Sequence, residues 1–250
     1  MGTRKIFLIN ELVKYSQKLD QKGFVANHDG NISVKFDDVL LATPTAISKG
    51  NMIADIAITL DTDGKKIEGM GQPFSEIKLH LAAYSCRHDI NAVIHAHPPF
   101  STAFGLTGKE LVPNLPEAIV SIGDIVPVVP FAMPGSPESM EYIADAFQKV
   151  NVAMLAGNGV LAIGESIEQA YLRLELVEHL AKIQFYAHKL GSPMVLSQEN
   201  IDQLLEKRRA AGLEPPGYSN HSASVKVPSN PPPIDRISEL IAEEIRKALK

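Results

Sequence analysis

The segment Ala92-Val93-Ile94-His95-Ala96-His97-Pro98-Pro99 carries the side chains best suited to chemistry. On a strand, residues two apart project to one face, so His95 and His97 emerge together just before two prolines end the strand. Two imidazoles so placed can grip one divalent metal. They can equally be two histidines hydrogen-bonded at a strand end, and the spacing alone leaves both readings open. Upstream, Phe74-Ser75-Glu76-Ile77-Lys78-Leu79-His80 opens a helix, with Ser75 as the N-cap and Glu76 in the first turn, where the helix dipole favours a carboxylate. First-turn glutamates are commonplace, so position alone assigns Glu76 no chemistry. Gly30-Asn31-Ile32-Ser33 and Thr43-Pro44-Thr45-Ala46 read as turns whose hydroxyl, amide and backbone N–H groups can line an anion site.

The elements that must position these residues are legible from periodicity. Leu8, Leu12, Tyr15 and Leu19 mark an opening helix that Gly23 stops, and Asn31 to Ala42 alternates apolar and polar residues as a strand pair does. Asp55 to Leu60 and Lys65 to Glu68 flank Asp61-Thr62-Asp63-Gly64, a hairpin signal. A helix from Ser75 to about Arg87, a strand from Asn91 to His97 and a helix from about Pro98 follow. A helix near Ser136 to Lys149, a strand pair around Gly157-Asn158-Gly159 and a long helix from Ser166, with Ser166 and Gln169 as a capping box, complete the pattern. Strands and helices interleave without a regular βαβ beat, which predicts a mixed sheet covered by helices on both faces. There is no Gly-rich phosphate loop of either common type, which argues against a nucleotide enzyme.

Composition removes several function classes. The chain has 250 residues and a net charge of 24 − 29 = −5, the wrong sign for a general nucleic-acid binder. With 45% hydrophobic and 21% charged residues it can bury a sizeable core. The longest apolar stretches, Val126 to Met133 and Val152 to Ala156, fall well short of the roughly 20 residues that span a bilayer, so no membrane partner is expected. Met1 to Asn10 lacks the apolar core of a signal peptide, and the single cysteine, Cys86, allows no internal disulfide; a cytoplasmic protein is expected.

Three segments are predicted: a catalytic domain over 1–212, a Pro/Ser-rich linker over 213–233 with six prolines in 21 positions, and an amphipathic helix over 234–250. In that helix Ile237, Leu240, Ile241, Ile245, Ala248 and Leu249 recur at spacings of three and four, opposite Glu239, Glu243 and Lys247. Such a helix docks on its own subunit or a neighbouring one, or serves as an address for another protein surface.

The pieces HDGNISV, LLATPTAISKG, FSEIKLHLAAYSCRHDINAVIHAHPPFSTAF and MLAGNGVLAIGESIEQAYLRLELVEHLAKI, in that order, resemble the class II aldolase and adducin family, which carries similar GN, TPSG, SE, HxHPP and NHG elements. The resemblance spans roughly residues 5 to 190. It implies a three-layer αβα fold around a mixed sheet, a homotetramer with sites at subunit junctions, and one divalent metal ion per subunit, usually zinc. It implies a lyase in which His95 and His97 are metal ligands and Glu76 moves the proton during C–C cleavage. Asn31, Thr45 and Ser75 fall where the family binds the substrate phosphate. The chemistry implied is retro-aldol cleavage of a ketose 1-phosphate or related small molecule through an enediolate. The family also contains decarboxylases, epimerases and dehydratases using the same enediolate, and adducin-like binding modules without the metal. Bacterial microcompartment enzymes carry linker-plus-helix extensions similar to residues 213–250.

This sequence departs from the pattern at three points. Asn158 stands where the third metal histidine is expected, and an amide oxygen is the weaker ligand; His179, grouped with Glu175 and Glu178 on one face of the following helix, is one candidate replacement. Thr45-Ala46 replaces Ser-Gly, adding a Cβ where a phosphate would approach the backbone. Phe74 replaces a second serine. No residue matches the tyrosine acid that some family aldolases borrow from a neighbouring subunit.

Overall fold

The computed structural model describes residues 2–133 and 135–216. The chain divides into units 1–218 and 219–250, and the described residues belong to the first. The tail helix assigned to 234–250 lies outside the described residues, as does the linker beyond 216.

The elements run α1 (Gly2–Gln21), β1 (Asn31–Phe36), β2 (Val39–Ala42), β3 (Ile58–Leu60), β4 (Lys66–Glu68), α2 (Ile77–Cys86) and β5 (Ala92–Ala96). They continue with α3 (Pro99–Leu106), α4 (Pro116–Ile122), β6 (Val128–Val129), α5 (Pro137–Phe147), β7 (Val152–Leu155), β8 (Val160–Gly164), α6 (Ile167–Leu190) and α7 (Gln198–Ala210). One sheet in the order β4-β3-β2-β1-β5-β8-β7-β6 holds all eight strands. Every pair is antiparallel except β6 with β7, so the sheet is mixed, as the sequence predicts.

Helices cover both faces, giving the three-layer αβα arrangement, and the period of two in the strands decides which residue meets which layer. Ile32, Val34, Ala92, Ile94, Ala96, Val160 and Ala162 join one core cluster with α1 and α6. Val93, Ala153, Leu155, Leu161 and Ile163 join the other, with α2 and α5. Residues of the second parity on β1 and β5, namely Asn31, Ser33 and His95, therefore point toward α2. That parity turns an otherwise apolar interlayer into a site. Among the described residues, no helix is long and apolar enough to cross a membrane.

Four local readings change. The strand expected from Asp55 begins at Ile58, because Ala54–Ile56 is a 3₁₀ turn whose local hydrogen bonds, Ile56 N to Ile53 O and Ala57 N to Ala54 O, remove those amides from the ladder. The helix expected from Ser75 begins at Ile77; Phe74 to Ile77 is a turn closed by Ile77 N donating to Phe74 O, and no side chain caps it. That places Glu76 at the cap position (φ −86°, ψ 8°) and not in the first helical turn. Helices α4 and α7 and the short strand β6 are additional to the pattern read from sequence. The expected capping box on α6 is present: Gln169 N donates to Ser166 Oγ, and the Gln169 side chain accepts from Glu165 N.

Candidate active site

Strand β5 is the central support. His95 is fully buried, and its Nδ1 lies 3.0 Å from Val160 O on β8. A carbonyl only accepts, so Nδ1 carries the proton and Nε2 is left with its lone pair. Just past the strand end, His97 N donates to Phe24 O, and His97 Nδ1 lies 3.4 Å from Asp29 Oδ2, which fixes the same tautomer. The two Nε2 atoms face each other at 3.1 Å, with the rings edge to face.

Glu76 reaches across from the start of α2. Its Oε1 is 3.3 Å from His95 Nε2 and accepts from Asn158 Nδ2 at 2.8 Å; its Oε2 accepts from Asn31 Nδ2 at 3.0 Å. Burial alone would raise its pKa, but the electrostatic surroundings, with amide donors from Asn158 and Asn31 at its two oxygens, outweigh burial, so the carboxyl is held below the usual carboxylate range. The resting group is a carboxylate, the form that can accept a proton.

The turn between β7 and β8 delivers Asn158. Gly157 and Gly159 flank it with φ of 72° and 70°, and Leu155 N donates to Gly159 O. A Cβ at Gly159 would lie 2.2 Å from His97 Cδ2 and 2.3 Å from Ala96 O, so only glycine lets this turn close onto the histidines.

The donor chemistry fits a cation at the histidine pair. Two imidazole lone pairs 3.1 Å apart repel unless a positive centre lies between them, and ligands about 2.0 Å from a tetrahedral zinc stand about 3.3 Å from each other. Among the described residues, no group of three or more His, Cys, Asp or Glu side chains is arranged to hold a metal. The histidine pair stands beside one carboxylate, Glu76, and one amide, Asn158.

Residues 10–185 match the Class II Aldolase and Adducin N-terminal domain family. This chain belongs to the class II aldolase and adducin family. It is 31% identical over 208 residues to the L-fuculose phosphate aldolase of Escherichia coli strain K12, covering 82% of this chain and 96% of that one. It is 27% identical over 206 residues to the 5-deoxy-D-ribulose 1-phosphate aldolase of Bacillus thuringiensis serovar kurstaki, with the same coverages. Among solved structures, an L-fuculose 1-phosphate aldolase superposes with a TM-score of 0.74 at 30% identity, over 81% of this chain and 96% of the other.

Within this family member, the structure gathers Glu76, His95, His97, Asn31 and Asn158 into one cluster of contacting polar groups. Thr45 and Ser75 are exposed, and among the described residues neither hydroxyl bonds to that cluster. Their loops are joined instead by the backbone, through Thr45 N donating to Gln72 O. His179 is exposed on α6 and is not brought to the histidine pair. Its neighbours are committed elsewhere. Glu178, buried at 6% exposure, accepts from Phe100 N, Ser101 N and Ser101 Oγ at the start of α3, and Glu175 pairs with Lys22 and accepts from Tyr171. These bonds turn the acidic face of α6 into an anchor for α3, which removes His179 as a ligand candidate.

Sequence reasoning missed His80, Ser33 and Tyr84. The signals were present: Ser33 follows Asn31 by two on a strand, while Glu76, His80 and Tyr84 are spaced by four on one helix face.

Ala46 adopts φ 60°, a left-handed conformation that costs a residue with a Cβ about 1–2 kcal/mol. The residue is exposed, so its methyl group packs against little. Ala46→Gly is therefore expected to raise stability by about 0.5–1 kcal/mol after the added freedom of the unfolded glycine is subtracted, seen as a higher melting temperature. A lower melting temperature would show that the Ala46 methyl makes contacts that matter.

Proposed function

We propose that this protein is a metal-dependent sugar-phosphate aldolase that cleaves a ketose 1-phosphate, or a related small molecule, into dihydroxyacetone phosphate and an aldehyde. The observation that carries this reading is the convergence of the Glu76 carboxylate on the His95–His97 pair, in a family whose curated relatives are named as aldolases of sugar phosphates. His95 and His97 would hold the divalent ion, zinc by the preference of nitrogen ligands, and when bound it supplies Lewis-acid polarisation of the substrate's carbonyl and hydroxyl oxygens.

The remaining work falls to the chain. In retro-aldol cleavage the C4 hydroxyl loses its proton, the C3–C4 bond breaks, its electron pair passes into an enediolate, and C3 later receives a proton. Glu76, ionised and held at both oxygens, is the group placed to carry a proton at the reacting carbon. Thr45, Ser75 and the second amide hydrogen of Asn31 are the donors we assign to the phosphate. Asn158 orients Glu76 from the opposite side to Asn31.

Two further assignments extend from the family and the tail sequence. A subunit contact is assigned to the exposed Phe185 and Tyr186 on α6, which pack around Phe100 with ring centroids 5.6 and 6.0 Å away, and the count of four, a homotetramer, is taken from the family resemblance. The apolar face of residues 234–250 is assigned to a protein partner in a larger assembly such as a microcompartment, in a cytoplasmic setting.

The test is product analysis on a panel of ketose 1-phosphates and sugar-acid phosphates, with and without added zinc, manganese or cobalt. Release of dihydroxyacetone phosphate, abolished by chelator, is expected. Release of carbon dioxide, or an epimerised or dehydrated product, would move the assignment to another enediolate reaction. Absence of both turnover and bound metal would identify a binding module.

A further inference from the structure

Behind Glu76 and Asn31 lies a row of buried polar groups, His80, Ser33 and Tyr84, with no place in the reaction just described. Asn31 Oδ1 is 2.7 Å from His80 Nε2, His80 Nδ1 is 2.7 Å from Ser33 Oγ, and Ser33 Oγ is 3.0 Å from Tyr84 OH. Tyr84 OH also lies 3.0 Å from Ser33 O and 3.3 Å from Asn91 O. His80 and Ser33 have no exposed surface, and Tyr84 is 7% exposed. Four polar side chains between a sheet and a helix would be costly to bury without partners, and here each satisfies the next.

We propose that His80, supported by Ser33 and Tyr84, is a positioning residue that fixes the Asn31 amide with its N–H₂ toward Glu76. This rests on the reading of Glu76 as the proton carrier.

The direction of the row follows from one end. Asn31 Nδ2 lies 3.0 Å from Glu76 Oε2, and an amide nitrogen only donates, so Asn31 presents Oδ1 to His80. His80 must then donate from Nε2. Its buried ring is neutral, with the pKa pushed down to about 3, chiefly by burial and then by nearby His95. Its Nδ1 is consequently an acceptor, and the Ser33 hydroxyl is the donor within reach. Tyr84 completes the row as a donor, to Ser33 Oγ or to the two backbone carbonyls. Rotating the Asn31 amide by 180° would set its oxygen against the carboxylate, and His80 opposes that rotation because its Nε2–H would then face the amide N–H₂. The row thus selects one of two amide orientations, and that orientation gives Glu76 its second donor.

The experiment has a spectroscopic arm and a kinetic arm, both on the full chain. In protein labelled with nitrogen-15 at histidine, the resonances missing from His80→Gln identify His80. The expected pattern is a neutral ring protonated at Nε2 from pH 5.5 to 8. Protonation at Nδ1 would overturn the proposal, whatever the enzyme's reaction proves to be. In the kinetic arm, His80→Leu is expected to lower kcat by about 10- to 100-fold and, because the second Asn31 amide hydrogen is assigned to the phosphate, to raise KM, and His80→Gln, which keeps a donor near the Nε2 position, to recover most of both losses. Should His80→Leu fail to fold, Ser33→Ala gives the same reading one bond further out, with an expected kcat loss of about threefold to tenfold. A folded His80→Leu or Ser33→Ala variant with native kcat would overturn the proposal.

Discussion

Glu76→Gln is expected to lower kcat by about 10²- to 10⁴-fold, the usual contribution of a positioned proton-transfer group. The substitution keeps size and shape but removes the ability to gain and release a proton. It also disturbs the local bonding in a predictable way. Two amide N–H₂ groups, from Asn158 and Asn31, donate to the two oxygens of Glu76, and glutamine can offer an oxygen to only one of them. The variant therefore leaves one donor facing an N–H₂ group, costing about 1–3 kcal/mol in melting experiments without unfolding the domain. Metal content, measured by elemental analysis, is expected to stay as in the native protein, because the histidine pair is untouched. Native turnover in Glu76→Gln would remove this residue from the mechanism.

The second large effect concerns the place where this chain leaves its family's pattern. Asn158→His is expected to raise zinc affinity by about tenfold or more, since imidazole is the better ligand and the turn already brings residue 158 to Glu76 Oε1, itself 3.3 Å from His95 Nε2. The backbone is prepared for it. Gly159 lies so close to His97 and Ala96 that the loop has one way to pass, and Asn158 N donates to Leu155 O. The gain comes with a loss, because the native amide donates to Glu76 Oε1 and histidine cannot both bind a cation and repeat that bond. Competition with a chromophoric chelator measures the affinity, and a His95→Ala, His97→Ala variant supplies the metal-free reference. Unchanged affinity would show that residue 158 is a donor to Glu76 and nothing else.

How much of this was legible without coordinates depends on the range of the interaction. His95 and His97 could be placed together because strand parity is a local rule; the same rule holds for Asn31 and Ser33 on β1, but the residues around Gly30 read as a turn and the pairing was missed. The turn carrying Asn158 was readable from two flanking glycines. Glu76 was read one position too deep, because Ser75 looks like an N-cap by type, whereas backbone bonding around Phe74 starts the helix at Ile77. The contact made by the acidic face of α6 was not legible for a different reason: Glu178 meets Phe100 and Ser101 across 77 or 78 residues, and no periodicity reports a contact of that span. The relay behind Glu76 lies between these limits. Its members are spaced locally on a helix and on a strand, but their meeting depends on how α2 packs on β1.

The strand order has a consequence for how such a protein can diversify. Strand β5, which carries His95, is fifth of eight, with β1 and β8 at its sides and two or three further strands before either edge. The chemistry is anchored in the stretch of backbone least free to shift, while β4 and β6 border solvent or a neighbour with only one paired side. Insertions, lengthened hairpins and new contact surfaces can accumulate at those margins while the reacting groups keep their spacing, so substrate range and assembly can evolve separately from the catalytic step.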